Sequence, residues 1–79
     1  MATDAEAEFA AFYDAGFGRT LACVYALTGD RSEAEDVAQE AYVRAWPRWR
    51  SLQTYDDPGA WVCQVACRIA VSRNGRGRR

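Results

Sequence analysis

The chain contains no histidine and no lysine, and it has no long apolar run. The absence of histidine excludes triads, histidine-based acid–base catalysis and histidine metal ligation. No segment approaches the ~20 apolar residues that span a bilayer, and the first residues are acidic where a signal peptide is positively charged. Gly75 and Gly77 follow a predicted helix instead of preceding one, so they do not form a phosphate-binding loop. We therefore expect a cytoplasmic protein that is not an enzyme and has no cofactor and no membrane partner.

Cysteine is scarce, with three residues in the whole chain. Cys63 and Cys67 lie one helical turn apart, which is compatible with metal ligation, and Cys23 could supply a third ligand. Neither a CxxC pair nor a histidine completes a tetrahedral set, so the sequence predicts no metal site. Cys63 and Cys67 are predicted to lie away from the core, where oxidation between molecules during purification is the expected reaction. In the cytoplasm all three thiols should be reduced.

Length and charge indicate one small domain with two kinds of partner. The 79 residues are 49% hydrophobic and 27% charged, which is typical of a globular domain with a small core. Nine acidic residues and two arginines occur up to Glu40, whereas two acidic residues and eight arginines follow it. This division predicts a basic protein surface as partner of the first half and a polyanion such as nucleic acid as partner of the second. The exclusive use of arginine suits bidentate phosphate and base contacts, or it reflects genome composition.

Apolar spacing predicts a first helix from about Ala5 to Thr28. Gly16 and Gly18 interrupt it, and each costs about 1 kcal/mol relative to alanine, so we expect a weak or bent turn there. Gly29 is predicted to end the helix as a left-handed C-cap. The apolar positions recur at steps of three and four: Phe9, Phe12, Tyr13, Phe17, Leu21, Val24 and Leu27.

A second helix is predicted to begin at Asp30, with Glu33 completing a capping box, and to continue to about Arg50. Pro47 should kink it, because proline lacks a backbone donor. One side of this helix forms a buried stripe of Ala34, Val37, Ala38, Ala41, Ala45 and Trp49. The opposite side mixes polar and apolar residues, as in helices that dock on a partner, although a solvated face with stray apolar residues is an alternative. It carries Asp36, Gln39, Glu40, Val43 and Trp46.

A third helix is predicted from Pro58, with Asp57 as its N-cap, to about Arg73. Residues 74–79 are basic and rich in glycine, so we expect a flexible tail or the start of a linker. The core stripe of this helix comprises Val62, Val65, Ala66 and Ile69. A flank beside it carries Trp61, Gln64, Arg68 and Ser72.

Five groups of residues occur in an order and at a spacing that characterise a known family. They are Phe9-Ala10-Ala11-Phe12-Tyr13, Gly29-Asp30, the run from Ala34 to Ala41, Ala45-Trp46 with Trp49, and Asp57-Pro58 with Ala60-Trp61-Val62. Together they resemble region 2 of the extracytoplasmic-function sigma factors, which belong to the sigma-70 family. The resemblance covers about residues 9–73. It implies an all-α fold, a compact bundle of three main helices, forming a single domain over 1–79 with its core at about 5–73.

The resemblance also implies a function in bacterial transcription initiation. Region 2 binds the coiled coil of the RNA polymerase β′ subunit and recognises the melted non-template strand of the promoter minus-ten element. The family's polymerase-binding motif falls on Asp36, Gln39 and Glu40, with Val43 adjacent. The alternative is a sigma-like interaction module that binds polymerase or an anti-sigma factor but does not recognise specific DNA. A small enzyme has almost no support.

The DNA-binding residues that the resemblance implies lie in the second half of the chain. The loop from Leu52 to Asp57 matches a pocket for a flipped base, to which Tyr55 would contribute, although Tyr55 could equally be a lid on the core. Arg68 stands where many members have asparagine, and Ser72 where aspartate is common. The implied set is Tyr55, Trp61, Gln64, Arg68, Ser72, Arg73 and Arg76, with Arg78 and Arg79 as further phosphate contacts.

Complete sigma factors of this family also carry region 4, a helix-turn-helix unit, and nothing similar occurs in this chain. Either the chain is a fragment or it is a stand-alone region 2. The basic, linker-like end favours a fragment. An isolated region 2 should bind polymerase and DNA more weakly, because the second point of attachment is lost.

Overall fold

In a computed structural model, the backbone is described from Thr3 to Gly77 and the side chains from Thr3 to Arg73. Its helices, in chain order, are α1 (Asp4–Thr28), α2 (Arg31–Ala45), α3 (Trp49–Leu52) and α4 (Pro58–Gly77), with a 3-10 turn at Trp46–Arg48. No strand occurs within these residues. The three long helices pack against one another, which confirms the predicted all-α bundle.

The connection between α1 and α2 follows the local signals in the sequence. Gly29 adopts a left-handed conformation with φ 69°, and its N–H donates to the Tyr25 carbonyl, so the predicted C-cap is confirmed. Asp30 is confirmed as the N-cap, since its Oδ1 accepts a hydrogen bond from the Glu33 N–H. The reciprocal half of the box is different, because the Asp30 N–H donates to Thr28 Oγ1 and not to Glu33.

The start of α1 carries a capping box that the sequence analysis missed. The Thr3 N–H donates to Glu6 Oε1 at 2.8 Å, and the Glu6 N–H donates to Thr3 Oγ1 at 3.1 Å. These two bonds satisfy donors that the first helical turn leaves unpaired. The helix therefore begins one residue earlier than predicted.

The two glycines inside α1 differ in their surroundings, and α1 is continuous through both. A Cβ on Gly16 would lie 2.6 Å from the Tyr42 hydroxyl oxygen, closer than real Cβ contacts allow. A Cβ on Gly18 would meet nothing within 4 Å. Gly16 is thus the position where α1 leaves room for a side chain of α2, which is a packing role and not a break in the helix.

Two predicted helix ends were wrong. The second helix does not run to Arg50, because α2 ends at Ala45 and Pro47 lies in a 3-10 turn before α3 begins. Proline fits the first turn of a helical segment, where its missing donor is not required. The last helix extends to Gly77, four residues beyond the predicted end at Arg73. The side chain of Arg76 and the residues Arg78 and Arg79 lie outside the described part of the chain.

The core lies between α1, α2 and α4. Aromatic rings from α1 surround Tyr42, whose ring centroid is 4.8 Å from that of Tyr13, and Phe12 lies 4.9 Å from Trp49. The small side chains on α2 let these rings approach closely. Both predicted stripes are confirmed, with Val65 half-buried and these residues buried: Ala34, Val37, Ala38, Ala41, Ala45, Trp49, Val62, Ala66 and Ile69.

Candidate functional site: two surfaces joined by one carboxylate

The exposed side of α2 carries the predicted polymerase-binding residues Asp36, Gln39, Glu40 and Val43. Trp46 follows them in the 3-10 turn, and we call the five residues together the α2 face. Val43 is 70% exposed and Trp46 is 42% exposed, although both are apolar. Asp36 and Gln39 are also exposed, and neither makes a side-chain hydrogen bond to another residue in the described part. The structure therefore brings together polar and apolar groups that contact solvent on one face of one helix.

An aromatic groove runs along the edge of the α2 face nearest α1. The Trp46 ring lies 5.1 Å, centroid to centroid, from Phe9. Together with Tyr13, Gln39, Tyr42 and Val43 these rings line a groove of about 370 Å³. From the sequence, Phe9 and Tyr13 were identified only as recurring apolar positions of the first helix. Each lies half in the core and half in the groove, which an apolar periodicity does not distinguish.

The opposite edge of the α2 face meets α4 through Glu40. Oε2 of Glu40 accepts a hydrogen bond from Arg44 Nη2 at 2.7 Å, and Oε1 accepts one from Arg73 Nη2 at 2.7 Å. Arg44 is one turn away on α2, but Arg73 belongs to the predicted DNA-binding set on α4. Glu40 of the predicted polymerase-binding surface thus binds Arg73 of the predicted DNA-binding surface.

The exposed side of α4 carries most of the predicted DNA-binding residues. Gln64, Arg68 and Ser72 recur every four residues, so they lie in one row, and all three are exposed. Arg68, Ser72 and Arg73 also line a groove of about 410 Å³ between α2 and α4, with Glu40 and Arg44 on its other side. We call this row, with Arg73, the α4 face.

Two aromatic residues of the predicted set lie near the start of α4. Trp61 is half-buried against the core, and the Arg48 guanidinium carbon lies 5.9 Å from the centroid of its ring, within range of a cation–π contact. Tyr55 is 45% exposed and does not belong to the residues that pack on the core. The side chain of Tyr55 is therefore partly accessible from solvent.

Both ends of the loop between α3 and α4 are tied to α1. At the start of the loop, Gln53 Nε2 donates to Glu8 Oε1 at 2.7 Å. At its end, Arg19 donates through both Nη atoms to the two Asp57 carboxylate oxygens, each at 3.2 Å. Tyr55 lies between these attachments. Glu8, Arg19 and Gln53 were not predicted from the sequence, since only the folded chain brings them together.

Asp57 has two functions in this arrangement. Its Oδ1 accepts a hydrogen bond from the Ala60 N–H at 3.1 Å, which confirms the predicted N-cap of α4. The hydrogen bonds from Arg19, and then the one from Ala60, lower the pKa of the Asp57 carboxyl. The same contact raises the pKa of Arg19. The carboxylate form is therefore the one that positions the loop.

The three cysteines lie on facing sides of α1 and α4. The prediction for Cys63 was wrong, because this residue is buried, with its Sγ 3.5 Å from Thr20 Oγ1 and 3.8 Å from Cys23 Sγ. Cys23 and Cys67 are half-buried. Within the described residues, no group of three or more histidine, cysteine, aspartate or glutamate side chains could hold a metal ion. No helix there is both long enough and apolar enough to cross a membrane.

Comparisons with known proteins agree with this architecture. The family model for sigma-70 region 2 matches residues 16–79. The chain is also 39% identical over 54 residues to the ECF RNA polymerase sigma factor SigJ of Mycobacterium tuberculosis. That match covers 67% of this chain and 16% of the relative. No solved structure matched significantly.

The chain therefore belongs to the sigma-70 region 2 family. Its similarity to an ECF sigma factor confirms the group that the sequence predicted.

Proposed function

We propose that this domain binds the core RNA polymerase through the α2 face and engages promoter DNA through the α4 face and the loop before it. The protein partner is the β′ coiled coil, and the nucleic acid is the non-template strand of the minus-ten element. The domain acts there as a non-catalytic factor of transcription initiation, in the cytoplasm where polymerase and promoter meet. Membership of the sigma-70 region 2 family supports this proposal. It is also supported by the acidic and apolar groups exposed on the α2 face and by the arginines exposed on the α4 face.

The single observation that carries the proposal is the exposure of Val43 on a helix whose other face is completely buried. Val37 and Ala41 of the same helix are fully buried, whereas Val43 is 70% exposed and has the half-exposed Trp46 beside it. An apolar patch rimmed by polar groups marks an interaction site. Aromatic anchors such as Trp46 are enriched among the residues that dominate binding energy. Asp36 and Gln39 supply the polar rim, and the negative charge of Asp36 suits a basic helical partner.

The α4 face has the chemistry of a site for single-stranded DNA. Arg68 and Arg73 supply cations for phosphates, and Gln64 and Ser72 supply neutral hydrogen-bonding groups. The exposed ring of Tyr55 offers a stacking surface, and stacking on an aromatic ring contributes about 1–3 kcal/mol per base. Because phosphate contacts release counterions, the affinity should fall steeply with salt.

The test of polymerase binding is a titration of the domain against the isolated β′ coiled-coil fragment. Asp36→Arg reverses a charge on the α2 face at a residue with no side-chain hydrogen bond in the described part, so it should abolish binding while the circular dichroism spectrum stays unchanged. Asp56→Arg makes the same charge change in the loop before α4 and should bind as the unmodified domain does. Equal binding by both variants would overturn the assignment of the α2 face.

The second candidate is the interaction module without specific DNA recognition. Two observations favour it: Arg68 stands where an amide is common in the family, and Arg73 is engaged by Glu40. The discriminating measurement is fluorescence anisotropy with single-stranded minus-ten DNA and with a scrambled strand of the same composition. A preference for the minus-ten strand supports the first proposal. Equal affinity for both strands supports the second.

A further inference from the structure

The thiol pair Cys23–Cys63 stands apart from both proposed surfaces. It lies where α1 packs against α4, at the end of a line of polar groups that begins with the Tyr42 hydroxyl. Tyr42 Oη is 3.5 Å from Thr20 Oγ1, and the same oxygen of Thr20 is 3.5 Å from Cys63 Sγ. Cys63 Sγ in turn accepts a hydrogen bond from the Cys23 thiol at 3.8 Å. The function proposed above uses none of these groups.

We propose that Cys23 and Cys63 form an oxidation site, at which a hydroperoxide converts the two thiols into a reversible disulfide that joins α1 to α4. The sulfur atoms are already in contact, and they belong to helices that pack side by side. A disulfide requires the two sulfurs to approach to about 2.05 Å. The sulfurs start from 3.8 Å, and we expect rotation of the side chains and a small adjustment of the two helices to close the remaining distance.

The chemistry proceeds in two balanced steps. The Cys23 thiolate, on the more exposed of the two residues, attacks one oxygen of the hydroperoxide and breaks the O–O bond, which gives a sulfenic acid and releases water or an alcohol. The Cys63 thiolate then attacks the sulfenic sulfur, the S–S bond forms, and hydroxide leaves as water after taking a proton. The two thiols lose two electrons and two protons, and the hydroperoxide is reduced by those electrons. An added dithiol reverses the reaction by thiol–disulfide exchange.

Cys67 cannot take the place of Cys23 as the partner of Cys63 within the molecule. Cys63 and Cys67 are four residues apart on α4, and residues at that spacing have Cβ atoms about 5–6 Å apart. A disulfide needs Cβ atoms at about 3.5–4.5 Å, so a Cys63–Cys67 bond would require distortion of the helix. Burial raises the pKa of the Cys67 thiol and, with the hydrogen bond to Cys63 as a second cause, that of Cys23. The Cys23 thiolate is therefore scarce at neutral pH, and the site responds slowly, to sustained oxidant.

The bond would constrain the part of the chain that carries the α2 face. The loop that it closes runs from residue 23 to residue 63 and includes all of α2 and α3. Cross-linking a loop of that length restricts the unfolded chain, so the oxidised domain should melt at a temperature roughly 10 °C or more above that of the reduced one. The proposal does not depend on the polymerase or the promoter.

The test exposes the reduced full chain to excess hydrogen peroxide, followed by alkylation and peptide mass mapping without reductant. The expected product is a monomer lighter by two hydrogen atoms, with a cross-linked peptide that contains Cys23 and Cys63, and dithiothreitol restores the original mass. The Cys67→Ser variant should give the same product, and Cys23→Ser should give none. Because both substituted positions are only half-buried, each variant should fold, and circular dichroism checks this directly.

Three results would overturn the proposal. One is stable oxygen addition at Cys23 with no cross-link, another is a bond from Cys67 to Cys63 or to Cys23, and the third is a covalent dimer as the main product. A cross-linked monomer whose melting temperature equals that of the reduced domain would contradict the constraint on the unfolded chain.

Discussion

Arg73 of α4 donates a hydrogen bond to Glu40 of α2 at 2.7 Å, and this contact joins the two faces to which we assign polymerase and DNA. The other Glu40 oxygen is taken by Arg44 at the same distance. In the free domain, therefore, the Glu40 carboxylate partly neutralises the arginine to which we assign phosphate contacts. A basic partner that attracts Glu40 would leave Arg73 available to DNA.

We predict that Glu40→Gln strengthens binding of the free domain to single-stranded DNA about two- to fivefold at low salt. Exposed ion pairs contribute about 0–1 kcal/mol, and this limits the gain in DNA affinity to about fivefold. Arg73→Gln in the same chain should cancel the gain. The measurement is fluorescence anisotropy with a labelled strand.

Glu35→Gln is the matched control, because it removes the same charge from α2 but from a carboxylate that pairs with Arg31. An equal gain in both variants would mean that only net charge matters, and the coupling between the faces would then be refuted. Absence of DNA binding in every variant would count against the proposed function instead.

Two valines of α2 should respond differently to the same truncation. Val37→Ala leaves a cavity at a fully buried position and should lower the free energy of unfolding by about 2 kcal/mol. Val43→Ala changes a residue that is 70% exposed and should alter stability by no more than about 0.5 kcal/mol. Urea denaturation gives both values. Only Val43→Ala should weaken β′ binding without loss of stability, and a large destabilisation by Val43→Ala would show that this residue belongs to the core.

The two glycines of α1 provide a second matched pair. Gly18→Ala should stabilise the domain by about 0.5–1 kcal/mol, since alanine favours the helix and nothing lies within 4 Å of the new methyl group. Gly16→Ala should instead destabilise it by about 1–3 kcal/mol, because its Cβ would press on the Tyr42 hydroxyl, whose ring is buried and cannot move aside.

Removal of that hydroxyl should relieve the clash. In a double-mutant cycle, Tyr42→Phe should make Gly16→Ala much less harmful, which gives a clear coupling energy. Additive effects of the two substitutions would contradict the close approach of α1 and α2 at this point.

The Arg19–Asp57 pair predicts a pH dependence of stability. The pKa of Asp57 is lowered below its ordinary value of 3.8. A carboxyl with a lowered pKa in the folded state contributes stability above its unfolded pKa and loses it as the pH falls through the folded pKa. The urea midpoints of the unmodified domain and of Asp57→Asn should therefore differ at neutral pH and converge below about pH 4. Asparagine can still cap α4, so the difference reports the charge. Asp56→Asn is the matched control: Asp56 makes no ion pair within the described residues, so its loss should leave the urea midpoint at neutral pH unchanged.

The sequence predicted the features that depend on neighbours along the chain. The buried stripes of α2 and α4 follow from helical periodicity, and Gly29, Asp30 and Asp57 are caps because each acts on residues within one turn. The end of α2 at Ala45 was missed, because Pro47 permits either a kink or a new segment and packing decides between them.

Contacts across the fold could not be predicted in the same way. Glu40 and Arg73 are 33 residues apart, Arg19 and Asp57 are 38 apart, and Cys23 and Cys63 are 40 apart. Each pair depends on how α1 and α2 are placed beside α4, and a helical pattern fixes a buried face but not which charged group faces which. Gly16 shows the same limit. A glycine inside a helix predicted a weak turn, whereas the structure shows that the hydroxyl of Tyr42 on another helix leaves no room for a side chain there.

The loop that carries Tyr55 is fastened to α1 at both ends, by Gln53 to Glu8 and by Asp57 to Arg19. Its backbone is further held by the bond from the Tyr55 N–H to the Leu52 carbonyl at 3.0 Å. A segment restrained in this way has already lost most of its conformational freedom before a ligand arrives. If a base stacks on Tyr55 as we propose, it would meet a preorganised support, and less of the binding free energy would be spent on ordering the protein.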